Sequence, residues 1–167
     1  RKPDQILMSD DHGIKELRQI LRESKTIAIV GLSANWYRPS YFAAKYLQEH
    51  GYKIIPVNPT YEGQELLGER CYGSLEDIKE PVDMVDCFRK SEDIEPIALQ
   101  AVTIGAKVLW LQIGVKNDAA SRIAEMAGIT YVHDRCVKIE HGRLFGGLNW
   151  VGVNTKVISS KRPRWLP

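Results

Sequence analysis

The segment IAIVGLSANWYRPSYFAAKYLQEHGYKIIPVNP, residues 27–59, carries the pattern that decides the fold. Residues 26–30 are apolar and β-branched and end at Gly31, which is typical of a buried strand that feeds a tight turn. Residues 39–50 have helical spacing, with a proline suited to the first turn and a glycine after the last. Residues 52–57 then indicate a second strand. Together these pieces predict one β-α-β unit.

The same alternation continues to the end of the segment that we expect to form the domain. Further strands are predicted at 84–88, 108–113 and 130–132, and further helices at 92–105 and 118–128. Strands that alternate with helices predict an α/β fold: a Rossmann-like open, mostly parallel sheet with helices on both faces. We expect an N-terminal helix over residues 1–24 packed on the domain, the domain itself over 25–148, and a C-terminal extension over 149–167.

The composition favours a single intracellular domain. Its near-neutral net charge gives no strong overall attraction to nucleic acids or anionic membranes. The 167 residues are 44% hydrophobic, and 23 Lys and Arg against 21 Asp and Glu give a net charge of +2. We therefore expect no nucleic-acid or membrane partner. No apolar run approaches the ~20 residues that span a bilayer. The three cysteines, Cys71, Cys87 and Cys136, have neither disulfide-framework nor metal spacing, which favours a reducing cytoplasm.

The chemistry is expected where the strands end, because open parallel sheets bind ligands beyond the carboxyl ends of their strands. The first turn contains Gly31, Ser33 and Ala34 before a helix, a pattern that suits close approach of an anion. A dinucleotide fingerprint needs glycines at the positions held here by Ser33 and Trp36. The second strand also ends in Asn58-Pro59 rather than in an acid for a ribose hydroxyl. These departures argue against NAD.

Cations and aromatic rings stand near the same predicted edge. Arg38 precedes a helix, and Arg89 and Lys90 directly follow a strand, so each is a candidate phosphate ligand or, alternatively, a solvated side chain. Trp36 and Tyr37 either clasp a nucleotide or cover the sheet edge. Gln112 and Gly114, after the fourth strand, are weaker candidates, since the glycine also suits a plain turn.

Taken together, these segments resemble the coenzyme A-binding domain proteins, whose fold is shared by the nucleotide-binding domain of succinyl-CoA synthetase α subunits. The resemblance covers about residues 26–148 and rests on residues 27–59 with GERCYGSLEDIKEPVDMVDCFRKSED, KVLWLQIGV and VHDRCVKIEH. It implies coenzyme A (CoA) as the cofactor. It also implies a binding site formed by Gly31, Ser33, Ala34, Arg38, Pro39, Ser40, Asn58, Pro59, Phe88, Arg89, Lys90, Ser91, Gln112 and Gly114.

The same resemblance implies what the chain lacks. The synthetases use a second domain that carries a phosphorylated histidine, whereas His12, His50, His133 and His141 occur singly here and in no glycine-rich loop. We therefore expect no catalytic residue and a non-catalytic module that binds CoA or an acyl-CoA. The alternatives are a Rossmann-type enzyme, an acyl-CoA synthetase subunit completed by another chain, or a scaffold derived from an enzyme. A protein partner or a homo-oligomer is compatible with the apolar residues Trp150 and Trp165.

Cys136 raises a separate hypothesis. Its neighbours Arg135 and Lys138 are expected to lower the thiol pKa if the site is open, and a mixed disulfide with the CoA thiol would then be conceivable. The alternative is a half-buried packing cysteine. The nearby residues His133, Glu140 and His141 supply metal-ligand types without a zinc spacing, so no metal is expected.

Overall fold

The computed structural model describes the backbone of residues 3–145 and the side chains of residues 13–145. The expected C-terminal extension, with Trp150 and Trp165, lies outside this range. The helices are α1 (Pro3–Glu23), α2 (Pro39–Glu49), α3 (Ile94–Thr103), α4 (Asp118–Ala127) and α5 (Val137–Phe145). The strands are β1 (Thr26–Val30), β2 (Lys53–Val57), β3 (Glu65–Leu66), β4 (Glu69–Arg70), β5 (Met84–Cys87), β6 (Val108–Leu111) and β7 (Thr130–Val132).

Five strands form one parallel sheet in the order β2-β1-β5-β6-β7. The chain first steps from β1 to β2 on one side, then crosses to β5 on the other side of β1 and continues outward. Ile29 in β1 accordingly pairs with Pro56 of β2 on one side and with Asp86 of β5 on the other. The direction of winding therefore reverses between β1 and β5, which is where such sheets open a ligand crevice. The expected α/β Rossmann-like fold is confirmed.

The two faces of the sheet carry separate apolar cores, because successive strand residues point to opposite sides. On one face Ile27, Ile29 and Trp110 pack with residues of α1, α2 and α5, among them Leu21 and Leu47. The opposite face packs against α3 and α4 through small side chains, namely Ala98, Ala101 and Ala120, which face Ala28, Val85 and Leu109. Alanines at these contacts let the helices lie close to the strands.

Differences from the sequence prediction concern element ends and short elements. β5 and β6 end at Cys87 and Leu111, so Phe88 and Gln112 belong to the loops that follow. The hairpin β3-β4 was not expected, since each strand has two residues, and its turn holds Leu67 at φ 53° and Gly68 at φ 79°. Helix α5 was not expected either, because its sequence VKIEHGRLF mixes charges with a central glycine.

Candidate coenzyme-binding site

Gly31 sets the distance between the two loops on either side of the reversal point. It has φ +88°, and a Cβ built on it would lie 2.4 Å from the carbonyl oxygen of Phe88 and 2.9 Å from Cδ of Arg89. A side chain therefore fits neither the backbone conformation nor the space. The loop after β1 consequently touches the loop after β5, and Arg89 is held beside the first turn.

The first turn is braced by its own hydrogen bonds. The Ser33 amide donates to Oγ of the buried Ser40 at 3.0 Å, and the Asn35 amide donates to Oγ of Ser33 at 3.1 Å. The Arg38 amide donates to the Asn35 carbonyl at 3.0 Å. Ser33 and Ser40 thus shape the turn, since the oxygen of each hydroxyl accepts a backbone hydrogen bond within it.

The groups that this turn offers to solvent are Ala34, Asn35, Arg38, Pro39 and two aromatic rings. Trp36 and Tyr37 are 69% and 59% exposed and contact each other edge to face, with 6.0 Å between ring centroids. Most of each ring therefore faces solvent, which favours the interpretation that the rings meet a ligand over the one in which they cover the sheet edge.

Asn58 supports the turn from the end of β2. Its buried side chain donates from Nδ2 to the Leu32 carbonyl at 3.1 Å and accepts at Oδ1 from the Thr60 amide at 3.0 Å. Pro59 beside it is exposed. Asn58 thus ties the first two strand exits together, while Pro59 faces outward.

Two cavities flank the reversal point and share Arg89 and Asp93, whose side chains form an ion pair at 3.8 Å. The larger, about 800 Å³, lies on the side of α2 and α5 and is lined by Pro39, Phe88, Arg89, Lys90, Asp93, Gln112, Ile113, Val115 and Cys136. The smaller, about 320 Å³, lies on the side of α3, and its lining includes Gly31, Pro59, Gly73, Ser74, Pro96 and Gln100.

The structure therefore gathers only part of the predicted site into these cavities. The larger takes Pro39, Phe88, Arg89, Lys90 and Gln112, and the smaller takes Gly31 and Pro59 together with Arg89. The remaining candidates surround the cavities without lining them, namely Ser33, Ala34, Arg38, Ser40, Asn58, Ser91 and Gly114.

Ser91 and Gly114 join neighbouring loops at this edge. The Ser91 hydroxyl accepts from the Lys116 amide at 3.1 Å, and its carbonyl accepts from Nδ2 of Asn117 at 2.8 Å. The Gly114 amide, at φ +82°, donates to Oδ1 of Asp134 at 2.6 Å. Both residues thus fix the loop after β6, whose Gln112 reaches the larger cavity.

Asp86 is the feature of the site that the sequence prediction missed. Its side chain is fully buried in β5, where Oδ1 accepts a hydrogen bond from Nε2 of Gln112 and Oδ2 has no partner among the described residues. Burial raises the pKa of this carboxyl to about 7, and the Gln112 bond opposes the rise. The available signal was the acid itself, because charged residues are rare inside the buried strand MVDC.

Cys136 lines the larger cavity, and its surroundings favour the alternative of a half-buried packing cysteine over that of a reactive thiolate. Burial raises the thiol pKa and outweighs the neighbouring charge of Lys138. Arg135 instead contacts the buried Glu140, at 3.5 Å between Nη1 and Oε1. Cys136 therefore keeps its proton at neutral pH and is a less reactive nucleophile than its sequence neighbours suggest.

Further features concern membrane-spanning helices, metal sites and the histidines. No helix among the described residues is long and apolar enough to cross a bilayer. Within the same range, no group of three or more His, Cys, Asp or Glu residues is arranged to hold a metal ion. His50 and His141, which are distant in sequence, lie with their ring centroids 5.1 Å apart at the opposite end of the sheet from the cavities.

Comparisons with known proteins agree with this geometry. A family model described as a CoA binding domain matches residues 25–142. The uncharacterized protein YneT of Bacillus subtilis is 40% identical over 126 residues, which are 75% of this chain and 92% of YneT. The solved structure of a hypothetical protein from Pyrococcus horikoshii is 43% identical with a TM-score of 0.77, and the match covers 80% of this chain and 92% of that one.

A more limited match concerns a ligase. An ADP-forming acetate–CoA ligase of Methanocaldococcus jannaschii is 35% identical over 60 residues, which are 36% of this chain and 8% of the ligase. The likeness is therefore confined to a small part of that much larger protein.

Proposed function

The chain belongs to the CoA-binding domain family, and from this premise we propose that it binds CoA or an acyl-CoA at the carboxyl edge of its sheet as a non-catalytic module. The observation that carries the proposal is the pair of cavities that meet at Arg89, beside the close approach that Gly31 permits. This crevice stands at the reversal of strand order, the usual ligand position in such sheets.

The shape of the crevice suits a ligand built from a nucleotide and a long arm. Small-molecule clefts commonly measure about 300–1,000 Å³, and the two cavities, of about 800 and 320 Å³, fall in that range. The larger cavity is lined mainly by apolar groups such as Phe88, Ile113 and Val115, as an extended apolar arm requires. A single small anion would use only part of this space.

Charge at the crevice suits the phosphates of CoA. Arg89 and Lys90 are exposed at the rim of the larger cavity, and Arg38 is exposed just before α2. A guanidinium meets phosphate oxygens with charge-assisted hydrogen bonds, and a helix N-terminus adds a favourable dipole. The residues that would hold CoA are Gly31, Ala34, Arg38, Pro39, Pro59, Phe88, Arg89, Lys90 and Gln112, with Ser33, Ser40, Asn58, Ser91 and Gly114 shaping their loops.

Two titratable groups of the larger cavity, Asp93 and Cys136, favour binding over catalysis. Asp93 is paired with Arg89, and burial keeps the Cys136 thiol protonated. Neither group is therefore poised as a nucleophile or a general base. The chain would hold and present the ligand, while the chemistry of an attached acyl group would fall to a partner.

A second candidate is an acyl-CoA synthetase subunit completed by another chain. The match to part of an ADP-forming acetate–CoA ligase favours this candidate. This candidate uses the same CoA site, and it differs from the first in requiring a second chain that completes a catalytic ligase. Copurification of a synthetase subunit with this chain, followed by CoA-dependent ligase activity, would favour the second candidate over the first.

We also infer that the protein works in a reducing compartment such as the cytoplasm. Cys71, Cys87 and Cys136 are all free thiols, and Cys71 and Cys87 are buried. Free buried cysteines are typical of proteins that never meet an oxidising environment.

Titration calorimetry tests the binding proposal. We expect CoA to bind more tightly than NAD, because the first turn lacks the dinucleotide glycines and β2 is followed by Asn58 rather than by an acid. Equal or tighter binding of NAD, or no binding of CoA, would overturn the proposal.

Substitution of Arg89 locates the phosphate contact. Arg89→Ala is expected to weaken CoA by about 1.5–3 kcal/mol, the range of a hydrogen bond to a charged group. Lys107→Ala is the matched control, since this lysine pairs with Asp83 at 3.5 Å at the other end of the sheet and should leave CoA affinity unchanged. If the two variants bind CoA alike, Arg89 is only a solvated side chain.

A further inference from the structure

A buried acid lies directly behind the larger cavity. Asp86 occupies the central strand β5 and is 0% exposed, with Ile29 of β1 and Trp110 of β6 paired beside it. Gln112 connects it to the cavity, because its amide bonds Oδ1 of Asp86 and the residue is part of the cavity lining. The second carboxyl oxygen, Oδ2, has no hydrogen-bond partner among the described residues.

The proton on Asp86 decides what Gln112 can do. An ionised carboxylate only accepts hydrogen bonds, so Gln112 must turn its NH₂ group toward Asp86 and keep its carbonyl oxygen for other partners. A protonated carboxyl also donates, so the amide can turn over and present its carbonyl to Asp86. The NH₂ group is then left for the cavity.

We propose that Asp86 is a positioning residue whose protonation state decides which end of the Gln112 amide faces the cavity. Ionised Asp86 gives the cavity wall a hydrogen-bond acceptor and thereby selects a ligand group that donates, such as an amide N–H or the thiol of the CoA arm. Protonated Asp86 permits the reversed amide, which presents a donor to the cavity and disfavours the same group. This inference rests on the proposed function, since it names the part of that ligand that hydrogen-bonds to Gln112.

The charged residues Arg89, Lys90 and Asp93 line the cavity in front of Asp86. The thiols of Cys87, its neighbour in β5, and of Cys136, ahead of α5, interact with it electrostatically, and both keep their protons because burial raises their pKa. The buried residues of α2, namely Ser40, Ala43, Ala44 and Leu47, carry no charge. In α5, Glu140 is paired with Arg135 and Arg143, and His141 bonds Tyr46. Asp86 is thus the carboxyl of this cluster with a pKa of about 7, whereas the pKa of His141 is lowered from its ordinary 6.5.

The pH dependence of affinity follows in direction and size. Burial places the Asp86 pKa at about 7, so the ionised fraction rises steeply between pH 6 and pH 8. If binding requires the ionised form, affinity falls in proportion to that fraction, which is about tenfold lower at pH 6 than at pH 8. Binding at pH 7 should also release protons, because the bound donor stabilises the ionised carboxyl.

Titration calorimetry with dephospho-CoA tests the inference, since this ligand lacks the phosphate monoester that itself titrates near pH 6. Wild type is expected to lose about tenfold in affinity from pH 8 to pH 6. It should also release protons at pH 7, measured by comparing buffers of different ionisation enthalpy. Asp86→Asn keeps a hydrogen-bonding partner for Gln112 but cannot titrate, so its affinity should be flat with pH and its proton release absent.

Two further variants serve as checks. Asp83→Asn is the matched control: Asp83 accepts from the amides of Lys25 and Thr26 at the other end of the sheet, and this variant should keep the wild-type pH profile. Gln112→Leu keeps Asp86 but removes the amide, so it should bind more weakly and also lose the pH slope. If Asp86→Asn fails to fold, the pH profile of Gln112→Leu tests the inference instead.

The outcomes separate the two proposals. If neither CoA nor dephospho-CoA binds wild type at any pH, the proposed function fails and this inference with it. If wild type binds but its affinity is flat from pH 6 to pH 8, the Asp86 inference alone is overturned. A pH slope that persists in folded Asp86→Asn or in Gln112→Leu overturns it equally.

Discussion

Gly31 shows how one residue fixes the shape of the crevice. Its φ of +88° suits glycine, and the Phe88 carbonyl occupies the space of a side chain. Sequence reasoning assigned Gly31 to a turn before a helix, which is where it lies. The contact with the loop after β5 follows from the neighbouring position of β1 and β5, and no local pattern encodes that pairing.

Comparing Gly31→Ala with Gly51→Ala separates the cost of a left-handed backbone from the cost of steric overlap with a neighbouring loop. Gly51 has φ +91° and no atom within 4 Å of a built Cβ, so both variants carry the left-handed backbone cost of about 1–2 kcal/mol. Gly31→Ala should lose a further ~1–3 kcal/mol from overlap with the Phe88 carbonyl. Urea denaturation measures both losses. Equal losses would show that the two loops separate freely.

The buried carboxyl of Asp86 also makes the stability of the folded protein depend on pH. Its pKa rises from an ordinary 3.8 to about 7 in the folded protein, so the folded state binds more protons than the unfolded state between these values. Stability from this group is therefore present at low pH and lost as pH rises toward 7, by on the order of 4 kcal/mol. Asp86→Asn should be less sensitive than wild type in denaturant unfolding between pH 4 and pH 8. A parallel pH response of the two proteins would contradict the burial effect.

At the scale of elements, the long periodic segments were predictable and the short ones were not. The five main strands and α2 to α4 repeat apolar residues with a clear period and carry turn residues at their ends, so their existence and order follow from the sequence. The hairpin β3-β4 is too short for a period, although Nε2 of Gln48 bonds the Leu67 carbonyl at its turn. Helix α5 depends on tertiary contacts, as its buried Glu140 and His141 show.

The sequence predicted the edge of the sheet at which the candidate site residues lie, but not the role of each residue there. Parallel strands bring their carboxyl ends to one edge, so residues after β1, β2, β5 and β6 were expected together there. The sequence did not reveal which of them line a cavity and which only brace loops. The surroundings of Asp86 and Cys136 are formed by β6 and α5. Burial in these surroundings raises the pKa of both groups, and the sequence does not report burial.

Helix α5 is expected to loosen in acid before the sheet does. His141 is buried against Tyr46, whose hydroxyl lies 2.9 Å from Nδ1. Burial, and then the nearby His50, lower the pKa of His141. The unfolded chain thus binds a proton more readily, and this stability, full at neutral pH, is lost as pH falls below the ordinary value of 6.5.

Hydrogen exchange at pH 7.5 and pH 5.5, corrected for intrinsic rates, measures this loosening. Amides of α5 should lose protection at the lower pH while those of β1 and β5 keep it. His50→Gln removes the neighbouring positive charge and should reduce the loss without abolishing it, because burial is the larger cause. Simultaneous loss of protection in α5 and the sheet would show that α5 does not open separately.

At the scale of the whole molecule, the crevice lies between the two apolar cores rather than within either. Cavities on opposite faces of the sheet meet at Arg89, on the loop after the central strand. A ligand that fills both would contact the loops after β1, β2, β5 and β6 at once, and therefore bind only when the folded sheet holds these loops together. Ligand binding and global stability are thereby linked.

That linkage predicts a ligand-specific rise in melting temperature. A ligand at 100 times its Kd that binds only the folded state stabilises it by about 2.7 kcal/mol. For a chain of 167 residues this corresponds to a Tm increase of roughly 5–10 °C. CoA should produce this shift in a thermal melt, while NAD at the same concentration should produce little. Arg89→Ala should need about 10- to 100-fold more CoA for an equal shift, because it loses one charge-assisted contact and keeps the rest of the crevice. A shift of equal size with NAD would show that the crevice recognises nucleotides in general, and the distinction drawn from Ser33, Trp36 and Asn58 would be lost.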